Sequence, residues 1–496
     1  MGAVDIKGLR SRLQQEFGFH SFRPGQIKAC RSAMDGRDTL LLMATGSGKS
    51  LCYQLPGIEL VGVTVIVSPL IALAEDQARQ IEQLGRSAVI LNSAQAASKI
   101  RQARQDIADG KIEFVFTTPE RLQQTDLCEQ LREVGVDLMV IDEAHCVSQW
   151  GHDFRPDYQS LHYVRKRLGD PPILAMTATA SNHTVEDICD SLRLADPNII
   201  TTGVARWNLR LSVNPCQGAQ AKQDKLRSLL AAETHPQMQG ATIVYCSTTK
   251  QTEQLSQRFA SQSNTLYYHG KMKKQDRLKA QLAFMGSANP VMFATNAFGL
   301  GIDKPDIRQV IHYNVPGSIE AYYQEVGRAG RDGNPAQCTM LFDHDDLHLQ
   351  KLLAGGCLDA SQLATAHHTL RLGVERWGDA DGTVALTQLL EISPQRRGTL
   401  KQSLQMLASR GLVSPTGRAR WALEVAEVPA SVFEQLADRA ATRVEDRQVA
   451  LRQMTSYSET SRCRWDCLLD HFEEELETDC LQCNCDNCHG DLIRPV

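Results

Sequence analysis

The chain has 496 residues, 42% of them hydrophobic and 22% charged, with a formal net charge of −5. That length accommodates three or four domains with large cores, no apolar run reaches the roughly 18 residues of a membrane span, and the N-terminus carries neither the basic nor the apolar region of a signal peptide, so a cytoplasmic location is expected. The slight acidity excludes a uniformly basic nucleic-acid coat but leaves room for local phosphate-binding patches.

Asp38 to Leu42 reads as a strand, and it runs into Met43-Ala44-Thr45-Gly46-Ser47-Gly48-Lys49-Ser50. Short β-branched runs follow at Thr64 to Val67, Phe114 to Phe116, Leu138 to Ile141, Thr242 to Tyr245 and Val291 to Ala294. They alternate with charge-bearing helical stretches up to about residue 345. Apolar runs of that length between helices predict parallel strands buried on both faces, with ligands at their carboxyl ends. A boundary is expected near Gly203 to Leu211, giving two α/β lobes with a cleft between them.

After residue 345 the strand signal fades. Residues 361–430 read as three helices and a short hairpin, and residues 431–475 as one or two helices. Val384 to Leu390, then Leu400, Leu404, Leu407 and Leu412, hold helical spacing. Leu412-Val413 and Trp421 to Leu423 are expected to pair around a turn containing Pro415, Thr416 and Gly417. Between Glu391 and Arg420 lie Arg396, Arg397, Lys401, Arg410, Arg418 and Arg420, opposed by Glu391 alone. This pattern predicts a winged helix touching the duplex backbone.

Six of the fifteen cysteines crowd into the C-terminal stretch: Cys463, Cys467, Cys480, Cys483, Cys485 and Cys488. In a reducing compartment such a cluster points to a metal site rather than a disulfide knot.

The chemistry begins at the glycine-rich loop. Gly46 and Gly48 let backbone amides approach phosphates, Lys49 reaches the β- and γ-phosphates, and the Ser50 hydroxyl suits Mg2+. The helix that follows aims its N-terminus at the anion. Met43 stands where the pattern usually has its first glycine. At the end of the Leu138–Ile141 run, Asp142 is placed to hold the magnesium and Glu143 to orient or deprotonate the attacking water. Later, Gln324 to Arg331 brings Arg328 and Arg331 three residues apart, predicted on one helical face. One would bind the γ-phosphate and the other act as an arginine finger. A nuclease is disfavoured, because no second carboxylate cluster resembles a two-metal site.

In this order the pieces resemble superfamily 2 helicases and, in finer detail, the RecQ family of DNA helicases. Phe17 to Gln26 resembles that family's adenine-recognition segment, which implies that Gln26 bonds the adenine edge while Phe19 and Arg23 flank the base. Ser68 to Gln77 and Thr118 to Leu122 resemble the strand-contacting motifs of the first lobe. Thr177-Ala178-Thr179 resembles the motif that couples hydrolysis to lobe movement. Cys146 to Pro156 resembles the family's aromatic-rich loop. The resemblance implies that Trp150 and Phe154 stack on unpaired bases and that Arg155 meets phosphate or senses the γ-phosphate through the loop. Val244 to Cys246, Tyr268 to Gly270, Ala294 to Asp303 and Gln324 to Arg331 resemble motifs of the second lobe, with Asp303 carried to the nucleotide site.

The resemblance is strong over about residues 10–345. It implies ATP as substrate, Mg2+ and Zn2+ as cofactors, and translocation from 3′ to 5′ along single-stranded DNA. Unwinding of forked duplexes in repair and recombination follows, by a monomer in the cytoplasm, at the nucleoid in a bacterium. The implied architecture is α/β: two RecA-like parallel-sheet lobes at residues 1–205 and 206–345, a winged-helix domain at 346–430 and a small helical zinc-binding domain at 431–496.

Tyr457 to Cys488 resembles the family's zinc-binding segment. That implies Zn2+ held by Cys463, Cys480, Cys485 and Cys488. Cys483 remains an alternative to Cys480 or Cys485, and Cys467 is read as an unliganded helix cysteine. The order departs from the family, where the zinc segment usually follows the second lobe directly and the winged helix comes after it. Here roughly ninety residues intervene and carry the wing. The helical accessory domain of many family C-termini is expected to be absent.

Overall fold

The computed structural model describes residues 6–69, 71–92, 95, 97–123, 125–148, 155–178, 182–231, 239–261, 263–299, 302, 304–353, 358–379, 381–416, 419–474 and 483–489. The chain divides into two compact units, one formed by Met1–Asp346 with Gln453–Val496 and the other by Leu347–Arg452. The boundary at Arg452 falls inside the helix Ala430–Glu459.

The first unit holds two parallel sheets. The first sheet has seven strands: β1 (Thr39–Leu42), β2 (Val63–Val67), β3 (Ala88–Leu91), β4 (Phe114–Thr117), β5 (Val136–Ile141), β6 (Ile173–Thr177) and β7 (Asn198–Thr201), in the order β3-β4-β2-β5-β6-β1-β7. Successive residues of a strand point to opposite faces, and here both faces are filled. Leu40, Val65, Val115 and Met139 belong to one buried cluster, whereas their neighbours Leu41, Ile66, Phe116 and Val140 belong to the other. Hence the apolar runs are continuous rather than alternating. Truncating one of these side chains, such as Leu41→Ala, costs about 2–5 kcal/mol. At the start of β1 the buried Asp38 accepts from Arg165 at 2.8 and 2.9 Å and from the backbone amides of Ile173 and Ala195, so its charge is paired and hydrogen-bonded.

The second sheet has six strands: β8 (Leu209–Pro215), β9 (Ala241–Tyr245), β10 (Asn264–Tyr268), β11 (Pro290–Ala294), β12 (Ile307–His312) and β13 (Ala336–Phe342), in the order β10-β11-β9-β12-β13-β8. Its edge strand β8 would leave a row of open amides. The C-terminal cysteine segment covers it. The amide of Leu211 donates to the Asn484 carbonyl at 3.1 Å, and that of Val213 to the Asp486 carboxylate at 2.8 Å. Trp465, fully buried on the helix Arg464–His471, donates to the Leu209 carbonyl and meets Trp207 edge-on.

The second unit contains the helices Ala360–Trp377, Leu386–Ile392 and Arg397–Ala408 and a three-stranded antiparallel sheet of β14 (Thr383–Ala385), β15 (Val413–Pro415) and β16 (Arg420–Leu423), in the order β14-β16-β15. Three helices and a hairpin match the sequence reading. The third strand, β14, does not: Val384 and Ala385 are extended, not helical. A side chain added at Gly373 would run into Leu389, so the first two helices approach as closely as only glycine allows. Leu363, Leu370, Leu389, Leu400, Leu404, Leu407 and Trp421 form the core.

Candidate active site and metal centre

β1 delivers the glycine-rich loop to the carboxyl edge of the first sheet. Gly46 and Gly48 take positive φ, 81° and 87°. Space demands glycine as well: a Cβ on Gly46 would lie 2.8 Å from Arg331 Cγ, and one on Gly48 would lie 2.7 Å from Gln26 Nε2. The Lys49 ammonium donates to the Met43 carbonyl at 3.1 Å. The helix Leu51–Glu59 follows directly, its N-terminus toward the loop.

β5 delivers the carboxylates. Asp142 accepts from the Ser68 hydroxyl at 3.5 Å, and its own carbonyl accepts from the Tyr158 hydroxyl. Glu143 sits in left-handed backbone, φ 51° and ψ 48°, which favours glycine and costs about 1–2 kcal/mol in another residue. His145 is buried, with Nδ1 3.1 Å from Thr177 Oγ1 and 3.4 Å from Glu143 Oε2. It therefore links the carboxylate turn to the end of β6, the strand between β5 and β1.

Charge explains what this cluster wants. Burial, then the neighbouring charge of Glu143, pushes the Asp142 carboxyl up to about 7, while Lys49 pulls it back. Burial pushes the Lys49 ammonium down, against the pull of Glu143 and Asp142. The two carboxylates stand with the Lys49 ammonium and the Arg331 guanidinium, and a divalent cation beside Asp142 and Ser50 would offset the burial and the Glu143 charge that hold Asp142 toward its neutral form.

Gln26 and Arg23 reach the same loop. The buried Gln26 accepts from the Arg23 amide at 2.8 Å and donates to the Gly48 and Ser47 carbonyls at 3.0 and 3.3 Å. Arg23 donates to the Gly46 carbonyl at 2.8 Å. Phe19 is exposed. Arg155 donates to the Pro69 carbonyl at 3.2 Å.

The arginine pair departs from its expected form. The helix Ile319–Val326 ends before both residues, so they do not share a helical face. The last helical bond runs from the Gly327 amide to the Tyr323 carbonyl, the amides of Arg328 and Ala329 reach only three residues back, and the two side chains diverge. The buried Arg328 donates to the Gly299 carbonyl within the second sheet's own loops. Arg331 packs its stem on Gly46, and Gly327 lies against Thr45. Arg396, Arg397 and Lys401 lie exposed at and after the start of the helix Arg397–Ala408 in the second unit. Trp150, Phe154, Asp303 and Cys480 lie outside the described residues. Ser68, in a segment read as strand-contacting, donates instead to the carboxylate site, and the sequence reading gave no individual site role to His145 or Arg206. The partners of these three are 74, 32 and more than 120 positions away, and no local spacing signals such pairings.

Among the described residues, which do not include Cys480, four candidate metal ligands gather. The sulfurs of Cys463, Cys483, Cys485 and Cys488 all lie within 4.8 Å of one another. A zinc tetrahedron with bonds of about 2.3 Å has edges of about 3.8 Å, so the four thiols fit that ion. The alternative that included Cys483 is the one the geometry gathers. Cys467 sits on the helix Arg464–His471 and is not among the gathered thiols. Around them, Arg464 pairs with Asp486 at 2.9 Å and donates to the Tyr457 carbonyl, while Asn487 bonds the carbonyls of Thr460 and Arg462. Such outer bonds hold ligands in place.

Comparison with known proteins agrees with this geometry. The DEAD/DEAH box helicase family matches residues 23–188, the helicase conserved C-terminal domain residues 221–333, and the RecQ zinc-binding family residues 430–489. The chain is 41% identical over 374 residues to the probable ATP-dependent DNA helicase RecS of Bacillus subtilis, covering 74% of each chain. It is 38% identical over 347 residues to the ATP-dependent DNA helicase RecQ of the same organism, covering 69% of this chain and 58% of that one. The structure of Mycobacterium smegmatis helicase Lhr bound to ssDNA and AMP-PNP superimposes with a TM-score of 0.54 at 20% identity, over 90% of this chain and 61% of that one; it supports the fold alone. Sequence, fold and thiol cluster agree, and the chain belongs to the RecQ family: it is an ATP-hydrolysing DNA helicase with a zinc-binding segment.

Proposed function

We propose that this helicase moves from 3′ to 5′ along one strand of DNA and parts a forked duplex ahead of it, as a monomer, in DNA repair and recombination. The one observation that carries the mechanism is the contact between Arg331 of the second lobe and Gly46 of the phosphate loop. It supports a cleft that closes on the terminal phosphate of ATP.

Thr45 to Ser50 would cradle the phosphates, with Lys49 on the β- and γ-groups. Gln26 would read the adenine edge, with Phe19 and Arg23 beside the base. Asp142 and Ser50 would hold Mg2+, which supplies positive charge for the phosphate oxygens. Glu143 takes the proton of the attacking water, and its aim is set by the left-handed turn. Arg331 then balances charge developing on the γ-phosphoryl group. Arg328, bonded to Gly299, carries lobe movement into the second sheet. Asp303 is assigned to the same nucleotide site through its motif. The His145–Thr177 bond offers a route from the carboxylate turn to the Thr177–Thr179 motif. Trp150, Phe154 and Arg155 would grip single-stranded DNA, and Arg396, Arg397 and Lys401 the duplex backbone. The functional division is residues 1–205 and 206–345 for the lobes, 346–430 for the wing and 431–496 for zinc. Zn2+ would be held by Cys463, Cys483, Cys485 and Cys488. The enzyme works in the cytoplasm, at the nucleoid if its source is a bacterium.

Strand separation on a forked duplex tests the reading. Lys49→Ala should bind DNA and leave the fork closed, and a 5′ single-stranded overhang should not support unwinding. Full hydrolysis of ATP by Lys49→Ala would refute the site.

A further inference from the structure

Residues 202–208 join β7, the last strand of the first sheet, to β8, the first strand of the second. That connection carries a guanidinium which the chemistry above leaves unused. Arg206 donates from Nη1 to the Gly327 carbonyl at 2.7 Å and from Nη2 to the Gly330 carbonyl at 2.6 Å. Asn208 donates to the same Gly330 carbonyl at 2.9 Å and to that of Asn334 at 2.9 Å. Tyr323, near the end of the helix Ile319–Val326, donates its hydroxyl to the Val204 carbonyl. Val204 in turn donates its amide to the Glu474 carboxylate at 2.8 Å.

The two carbonyls that Arg206 grasps bracket Arg328, and the second belongs to the residue just before Arg331. Gly330 has φ 55°, and a Cβ there would sit 2.5 Å from Asn208 Nδ2. A turn with two glycines in four residues has wide conformational freedom. A planar guanidinium removes that freedom well, because one rigid fork fixes two acceptors at once. We propose that Arg206, with Asn208, is a positioning residue that locks the Gly327–Arg331 turn, so that Arg331 meets the phosphate loop in register. The proposal rests on Arg331 serving the terminal phosphate, as put forward above. It makes the connection between the sheets part of the hydrolytic machinery: a shift of residues 202–208 moves the arginine with it.

The test compares Arg206→Ala, Arg206→Lys, Asn208→Ala, Arg331→Ala and the Arg206→Ala/Arg331→Ala pair in the full chain. The readouts are ATP hydrolysis stimulated by single-stranded DNA, binding of a fluorescent ATP analogue, and thermal melting. A displacement of about 1 Å costs on the order of a hundredfold in turnover. Arg206→Ala is therefore expected to lower kcat about ten- to a hundredfold with little change in KM for ATP. Arg206→Lys is expected to restore only part of the activity, because a flexible ammonium lacks the planar fork that fixes two acceptors in one geometry. Since Arg206 acts through Arg331, the paired variant should turn over no more slowly than Arg331→Ala alone. Parental kcat in Arg206→Ala overturns the positioning role, and so do losses that multiply in the pair. Parental kcat in Arg331→Ala overturns the phosphate reading and this proposal together. Should Arg206→Ala fail to fold, Asn208→Ala decides: a kcat loss absent in the Arg331→Ala background supports the lock, and a loss indifferent to that background overturns it.

Discussion

Glu143 occupies left-handed backbone at the turn where β5 ends, and Asp142 caps that turn by accepting from the Glu143 amide at 3.0 Å. Strain of this kind persists only where the surroundings hold it, and His145 and Thr177 supply the hold. Glu143→Gln keeps the volume and removes the proton acceptor. It should retain ATP binding while kcat falls about a hundred- to ten-thousandfold. Retained turnover with lost binding would show that Glu143 holds nucleotide rather than water. At the metal centre the contest is between two neighbouring cysteines. Cys483→Ser is expected to lose stoichiometric zinc, and Cys480→Ser to keep it, by elemental analysis of the purified chains. The reverse pattern would move Cys480 into the ligand set.

At the scale of elements, the coupling of β8 to the cysteine segment is the feature with the largest reach. β8 is an edge strand, and its Leu211 and Val213 amides are capped by Asn484 and Asp486, which lie between Cys483, Cys485 and Cys488 in the chain. A zinc ion that closes those thiols therefore fixes the cap as well. Metal binding in such a site is folding free energy, and an uncapped strand edge invites pairing with another chain. Stripping zinc with a chelator should lower the melting temperature and raise light scattering, both reversed by zinc. A chain that melts unchanged and stays monodisperse without zinc would show that the cap holds unaided. The parallel sheets were legible in the sequence because strands such as β1, β2, β4, β5, β9 and β11 are short, buried apolar runs, whereas β3, β7 and β10 are only partly buried. β14 was not, because Val384 and Ala385 continue into the helix Leu386–Ile392 without a break, and only pairing with Arg420 to Ala422 makes them extended. The helix end at Val326 was missed for a similar reason: arginine spacing alone reports a periodicity, not where the bonds shorten to three residues and the chain turns at Gly330.

At the scale of the whole molecule, the net charge of −5 means that DNA binding has to be local. Arg396, Arg397 and Lys401 are exposed together in the second unit. Replacing any one by alanine should weaken duplex binding whatever the base sequence. It should also reduce the slope of log affinity against log salt by about 1. An unchanged slope in all three variants would make that surface irrelevant to DNA. Among the described residues no helix is long and apolar enough to cross a membrane.

By itself the sequence determined the phosphate loop, the carboxylate strand end, the strand-and-helix alternation and the presence of a thiol cluster. Each is written in contacts a few residues apart, where spacing translates directly into geometry. The tertiary structure decided what depends on closing long loops. It set Arg331 rather than Arg328 on Gly46, and it gathered Cys483 with Cys463 across twenty positions. It also brought Arg206 to a turn more than 120 residues away. Those choices rest on packing and shared hydrogen bonds between distant segments, and a linear pattern has no means of recording which of two similar side chains the folded chain brings near.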